Sequence, residues 1–167
     1  MKPTTRMVVA AIVVMMFVTG ANAQRGTAPD PSAQDAAPKF DPSRDPTRDV
    51  TQAVAEARRA GKRIILDVGG EWCSWCHIMD RYYAAHAGLM ALREKHFVWT
   101  KVNWSPENQN TAFLSHYPAI KGYPHLFVLE QDGTLLHSQD TSLLEEGPSY
   151  NLDKMTELLE KWALPAK

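Results

Sequence analysis

Apolar residues fall along the chain in runs of different length and period, and each predicts a different element. Met7 to Val18 is an unbroken apolar run of twelve residues. Lys2 and Arg6 give the stretch before it a basic character, and the small-x-small triplet Ala21-Asn22-Ala23 follows, with Gln24 next. This is the anatomy of a cleaved secretory leader over residues 1–23. Twelve helical residues reach about 18 Å, short of the roughly 30 Å hydrocarbon core of a bilayer. No cysteine borders the cleavage site, which argues against a lipid anchor. Residues 24–45 then carry Pro29, Pro31, Pro38 and Pro42 among Ala, Asp, Ser and Gln. Such a stretch has too little apolar surface to order itself and predicts a disordered linker.

From Pro46 onward the pattern becomes periodic, and residues 46–167 are expected to form one domain. Val50, Val54 and Ala57 recur at helical spacing and Gly61 supplies a stop. Arg63-Ile64-Ile65-Leu66-Asp67-Val68 is a β-branched run that ends at Gly69-Gly70 and predicts a buried strand. A helix is expected from Cys73 through Met79, with an irregularity near residues 84–87 and a second piece from Gly88 to Lys95. Phe97 to Val102 predicts another buried strand. Ser105-Pro106-Glu107 has the form of an N-cap followed by proline in the first turn, and predicts a helix to about His116. His125 to Leu129, then Gln131-Asp132-Gly133, then Thr134 to Leu136, predicts a β-hairpin with an Asp-Gly turn. Leu152, Met155, Leu158, Leu159 and Trp162 form the apolar face of a closing helix. The order α-β-α-β-α-β-β-α predicts an α/β protein with a mixed central sheet covered by helices on both faces.

Composition narrows the function classes. Of 167 residues, 44% are hydrophobic and 22% charged, ordinary for a globular protein. The formal net charge is −1. The leader holds two of the basic residues and no acid, so the rest of the chain has 16 Lys+Arg against 19 Asp+Glu. No basic excess exists to favour nucleic acid. The only two cysteines are Cys73 and Cys76. A multi-bridge disulfide scaffold and a four-cysteine zinc site are therefore excluded. An exported chain meets an oxidising or actively managed redox compartment, and the short leader suits a bacterial periplasm.

The candidate chemistry lies in Gly70-Glu71-Trp72-Cys73-Ser74-Trp75-Cys76-His77, where a strand hands over to a helix. A sulfur on Cys73 at the helix N-terminus faces free N–H groups and the positive end of the dipole, which favours the thiolate by up to about 2 kcal/mol. The thiolate is the attacking species in disulfide exchange. Cys76 lies one turn on, placed to resolve a mixed disulfide, and His77 lies four residues from Cys73, placed to tune it. Three other readings stand beside this one. A purely structural bridge would close a ring of about four residues, for a modest gain of roughly 2 kcal/mol. Cys73-Ser74-Trp75-Cys76-His77 also matches the signature of covalent c-type haem attachment. Zinc bound by both cysteines plus His77 or another histidine is the third, although no second paired-ligand motif accompanies it.

The segment Leu66 to Cys76 resembles the active-site strand and turn of the thioredoxin family, in which an acid stands six residues before the first cysteine, as Asp67 does here. Lys101-Val102-Asn103 is similar to the family's central strand, with its lysine near the buried acid. Gly122-Tyr123-Pro124 resembles the cis-proline loop that faces the cysteines, and Asp132-Gly133 the hairpin turn after it. The Trp-Cys-x-Trp-Cys-His form resembles exported members, including reductase domains of thiol:disulfide interchange proteins. Three features depart from the family pattern: the Ser74-Trp75 dipeptide, Gly69-Gly70 where bulky residues are usual, and Trp104 where an Asp is common.

The resemblance implies a three-layer α/β/α sandwich and thiol:disulfide oxidoreductase activity without a cofactor or metal. It implies Cys73 as nucleophile, Cys76 as resolving thiol and Asp67 as proton relay, with Lys101 pairing Asp67. Trp72, Trp75, Tyr123 and Pro124 would bind substrate. The implied partners are protein thiols or disulfides and a redox partner protein, with neither nucleic acid nor a membrane span after leader cleavage. A fold of this kind that docks partner chains with an idle cysteine pair is the alternative from another class.

Overall fold

The structure, a computed structural model, describes residues 39–165; the expected leader and most of the expected linker lie outside the described residues. Helix α1 (Pro46–Ala60) begins where Asp45 accepts the Thr47 and Arg48 N–H groups, and ends at Gly61, whose φ of 65° suits a residue without Cβ. Strand β1 (Arg63–Gly69) leads to α2 (Ser74–Ala85) and α3 (Ala87–His96). The two helices meet at His86, which leaves the helical region at φ −117°, ψ 84°; its Nδ1 lies 2.8 Å from the Tyr82 carbonyl. The irregularity expected from sequence is this break. Next come β2 (Phe97–Asn103), the single turn α4 (Thr111–Leu114), β3 (His125–Leu129) and β4 (Leu135–Asp140). A short 3-10 helix (Thr141–Leu144), the two-residue strands β5 (Glu145–Glu146) and β6 (Ser149–Tyr150), and α5 (Leu152–Trp162) complete the order.

The main sheet runs β2-β1-β3-β4, with β1 and β2 parallel and the remaining pairs antiparallel. Alternation along the strands divides the core between the two faces. Ile65, Leu126 and Val128 face Met79, Tyr83, Leu89, Met155 and Leu159 from α2, α3 and α5. Ile64, Leu66, Val68, Phe127 and Leu129 face Ala53 and Ala57 of α1, with Phe113 and Tyr117 beside them. The result is the expected α/β/α sandwich with a mixed sheet.

Three expectations need correction. The helix over residues 105–116 shrinks to α4. The Ser105 hydroxyl does accept the Asn108 N–H at 3.3 Å, as a cap would, but the helix does not propagate. Ser105 and Asn108 instead exchange backbone bonds of 3.1 Å, Asn103 donates to the Asn108 carbonyl at 2.8 Å, and Asn110 turns to φ 48° while donating to the Asn103 carbonyl. Asparagine side chains outcompete the helical ladder here. Leu152, expected on the buried face of the last helix, is 42% exposed at its first position. The segment from Thr141 to Tyr150 shows no periodicity; Asp140 caps its 3-10 helix by accepting the Ser142 N–H at 3.0 Å, and Leu144 and Tyr150 are buried. Ordered structure also starts before Pro46: Phe40, inside the expected linker, is 2% exposed.

Candidate active site

Cys73 is the N-cap of α2, and its sulfur accepts the Cys76 N–H at 3.1 Å. The turn that delivers it closes through the Cys73 N–H and the Gly70 carbonyl, 2.9 Å apart. Cys73 and Cys76 are joined as a disulfide. Both are buried, at 3% and 1% exposure, in a small apolar cluster with Phe40, flanked by Trp75 and Tyr123.

The two departures at Gly69 and Gly70 have a steric cause. A Cβ on Gly69 would stand 2.5 Å from the Cys76 sulfur and 3.0 Å from Cζ of Phe40. A Cβ on Gly70 would collide with the Trp72 indole and stand 2.6 Å from the Trp104 carbonyl oxygen. Gly69→Ala is accordingly expected to cost about 1–3 kcal/mol through overpacking. Urea denaturation checks this; an unchanged midpoint would mean that sulfur and ring have room to retreat.

Phe40, packed against the cysteine pair, also borders an ion cluster: Lys101 Nζ lies 3.9 Å from its ring centroid. Strand register sets Asp67 opposite Lys101 in the parallel β1–β2 ladder. Lys101 Nζ donates to Asp67 Oδ2 at 3.2 Å and to both oxygens of Asp80 at 2.9 Å, and Trp99 Nε1 donates to the same Asp67 oxygen at 3.1 Å. The Asp67 and Lys101 side chains are 2% and 5% exposed, that of Asp80 25%. Asp67 Oδ1 is buried with no hydrogen-bond partner among the described residues. Burial pushes the Asp80 carboxyl above its ordinary range, and the Lys101 ammonium only partly offsets this. Burial pulls Lys101 down, but the carboxylates of Asp67 and Asp80 outweigh it and hold the ammonium above its ordinary range. The resemblance pointed to Asp67 and Lys101. It did not point to Asp80 or Trp99, although Asp80 follows Cys76 by four residues on one helix face, a spacing that places it over the same pocket.

Tyr123–Pro124 is a cis peptide bond, on the loop whose Tyr123 side chain packs against the cysteine cluster. Trp72 is 51% exposed and meets Trp104 and Tyr123 edge-on, each at 5.6 Å between ring centroids; its Nε1 donates to the Trp104 carbonyl at 2.7 Å. Trp104 and Tyr123 stack at 5.0 Å. Trp75 turns the other way, half-buried against Tyr150 at 5.5 Å. The structure thus joins exposed Trp72 and half-buried Tyr123 in one aromatic ledge, adds half-buried Trp104, and places Trp75 at the core margin. His77 directs Nε2 to the Glu71 carbonyl at 2.8 Å, with the Glu71 carboxylate 4.0 Å away. That contact braces the turn before Cys73. Among the described residues no group of three or more His, Cys, Asp or Glu side chains is arranged to hold a metal ion, and no helix is long and apolar enough to cross a membrane.

Known structures share this architecture. A disulphide isomerase from Xylella fastidiosa Temecula1 superposes with a TM-score of 0.63 at 23% identity, covering 73% of this chain and 94% of that one. The C-terminal domain of Neisseria meningitidis DsbD in the oxidised form gives 0.53 at 21% identity, covering 75% and 99%. A DsbH oxidoreductase gives 0.52 at 20% identity, covering 85% and 93%. At these identities the likeness is one of fold. No curated protein matches the chain by sequence. A family model described as thioredoxin-like matches residues 45–130, from the cap of α1 to the end of the third strand. That stretch holds both cysteines, the buried Asp67–Lys101 pair and the cis-proline loop, and by this match the chain belongs to the thioredoxin-like family.

Proposed function

We propose that this protein is an exported thiol:disulfide oxidoreductase that exchanges disulfides with protein thiols through Cys73 and Cys76, in a bacterial periplasm. The observation that carries the reading is the disulfide at the N-terminus of α2, just after the strand that, two residues before its end, carries a buried carboxylate with an unused oxygen. In the reducing direction the Cys73 thiolate attacks a substrate disulfide. A Cys73–substrate S–S bond forms, the substrate S–S bond breaks, and the leaving sulfur takes up a proton. The Cys76 thiol then loses its proton, attacks Cys73 Sγ and expels the second substrate thiolate. Two electrons pass to the substrate, and the pair ends as the disulfide. A redox partner protein returns it to the dithiol, and the same steps in reverse carry oxidation.

Asp67 accepts the Cys76 proton in this reading. It and Gly69 lie on one face of β1, and the Cys76 sulfur stands against Gly69 on that face. Pro124 and the backbone beside it hold an extended substrate segment by strand-like pairing, and the Trp72–Trp104–Tyr123 ledge takes its apolar side chains. The leader motif supports export, and the redox names of the structural relatives agree with the chemistry. No observation favours haem or zinc: the two sulfurs bond each other and the His77 ring engages Glu71.

The test uses Cys76→Ser. With the resolving thiol gone, the reaction stalls after its first step, and mixed disulfides on Cys73 accumulate. Non-reducing gels of the host periplasm should show high-mass adducts that collapse with reductant. Their absence, together with a wild-type couple well below about −300 mV, would identify a structural bridge and overturn the reading.

A further inference from the structure

Phe40 belongs to neither of the two main cores. Its buried cluster contains only itself, Cys73 and Cys76. Of residues 39–45 it alone is buried, so the segment that carries it has no apolar anchor other than this ring. That segment is tied down from three sides. The Phe40 N–H donates to Glu71 Oε1 at 2.8 Å, on the turn before Cys73. The Pro42 carbonyl accepts from Asn108 Nδ2 at 2.8 Å, in the loop after β2. The Arg44 guanidinium donates to both oxygens of Asp49 in α1, at 2.8 and 2.6 Å.

The place the ring occupies is specific. Lys101 Nζ lies 3.9 Å from its centroid, so the ring covers part of the ammonium in a cation–π contact. The ring edge and the Cys76 sulfur press on the same point of the backbone, the missing Cβ of Gly69. A residue larger than glycine would separate them. The strand thus gives up a side chain at this position, and the space is filled by a ring from another part of the chain. Neither the family motif nor the catalytic steps above account for that ring.

We propose that Phe40 is a positioning residue for the inner sulfur: its ring closes to bulk water the pocket that Cys76 shares with the Asp67–Lys101 pair, and thereby sets the proton affinity of the Cys76 thiol once the disulfide opens. The inference rests on the oxidoreductase reading for its consequence, since Cys76 must lose its proton before it attacks Cys73 Sγ. In that step the Cys76–Cys73 bond forms, the Cys73–substrate bond breaks, and the displaced substrate sulfur takes up a proton. A thiolate formed in a dry pocket is disfavoured by desolvation, a cost that the α2 N-terminus and the Lys101 ammonium offset only in part. With the ring removed, water solvates the thiolate directly, and the thiol moves down toward its ordinary value.

The experiment measures the pH dependence of Cys76 alkylation by iodoacetamide in a Cys73→Ser background, where Cys76 is the only thiol. Phe40→Ala is expected to lower the midpoint by about one pH unit and to raise the limiting rate severalfold. Phe40→Leu, which keeps a smaller apolar plug, should shift it in the same direction by less. Near-UV circular dichroism checks folding of each variant. Should Phe40→Ala not fold, Phe40→Leu carries the test. A midpoint matching the parent in the most truncated variant that folds overturns the proposal. This readout needs no turnover, so it is distinct from the reading beneath it. A wild-type protein without insulin-disulfide turnover would sink the oxidoreductase assignment while leaving the role of Phe40 at Cys76 to stand or fall on the alkylation profile.

Discussion

Replacing Cys73 by Ser is expected to reduce insulin-disulfide turnover by more than about a thousandfold, to the level of the uncatalysed reaction. A hydroxyl at this position keeps the cap on α2, because oxygen accepts an N–H from the first turn at least as well as sulfur does. Fold and thermal midpoint should therefore change little, and the loss would report chemistry alone. Ser remains protonated at neutral pH and cannot form an S–S bond, so the helix N-terminus has no thiolate to stabilise. Asp67, Lys101 and the aromatic ledge would all stay in place. Residual turnover above a few per cent of wild type, in a sample free of contaminating reductase, would show that exchange does not pass through Cys73.

The second large effect is on stability. Lys101→Met is expected to destabilise the domain by about 3–5 kcal/mol near neutral pH. Methionine approximates the stem of lysine, so the lost quantity is charge and not volume. Without the ammonium, one fully buried carboxylate and one partly buried carboxylate face each other in the same pocket. The sign of the pH dependence follows. In wild type, Lys101 is held above its ordinary range, so its contribution is fully present below the ordinary lysine pKa and is lost as pH rises through the folded-state value. In the variant, the Asp80 carboxyl, pushed above its ordinary range by burial, loses the ammonium that offsets this and binds its proton more tightly in the folded than in the unfolded chain. Its stability should then fall as pH rises from about 4 toward 7, and the gap to wild type should narrow on acidification. Urea denaturation of both proteins across that range measures this, and a gap independent of pH would show that packing governs. Adding Asp67→Asn to Lys101→Met should recover part of the loss, since both partners of the buried contact are then neutral.

Much of the fold was legible because its elements obey short-range rules. α1 starts at an Asp-Pro cap and stops at Gly61; β1 and β2 are β-branched runs; the β3–β4 hairpin turns on Asp132-Gly133, with Gly133 at φ 92°. The legible part of the site was likewise local: Cys73 at a strand-to-helix junction, Cys76 one turn on. Where local rules conflicted, sequence failed. Ser105-Pro106 makes a sound cap, yet Asn103, Asn108 and Asn110 bind the backbone in competition with the helix. In the 3-10 helix and β5–β6 hairpin, Asp140 caps the first turn while Leu144 and Tyr150 bury against the core, and no periodicity announces that.

By itself the sequence determined the order of elements, the single cysteine pair and its place at a helix start, since each depends on neighbours a few residues apart. Only the tertiary structure decided what surrounds that pair. Asp67 meets Lys101 through the register of two strands 34 residues apart. Asp80 joins them because α2 lies across that face of the sheet, and Phe40 reaches Cys76 because Gly69 leaves the space between them open. Burial and charge at the inner sulfur are sums over residues distant in the chain, and such sums exist only once the chain has folded.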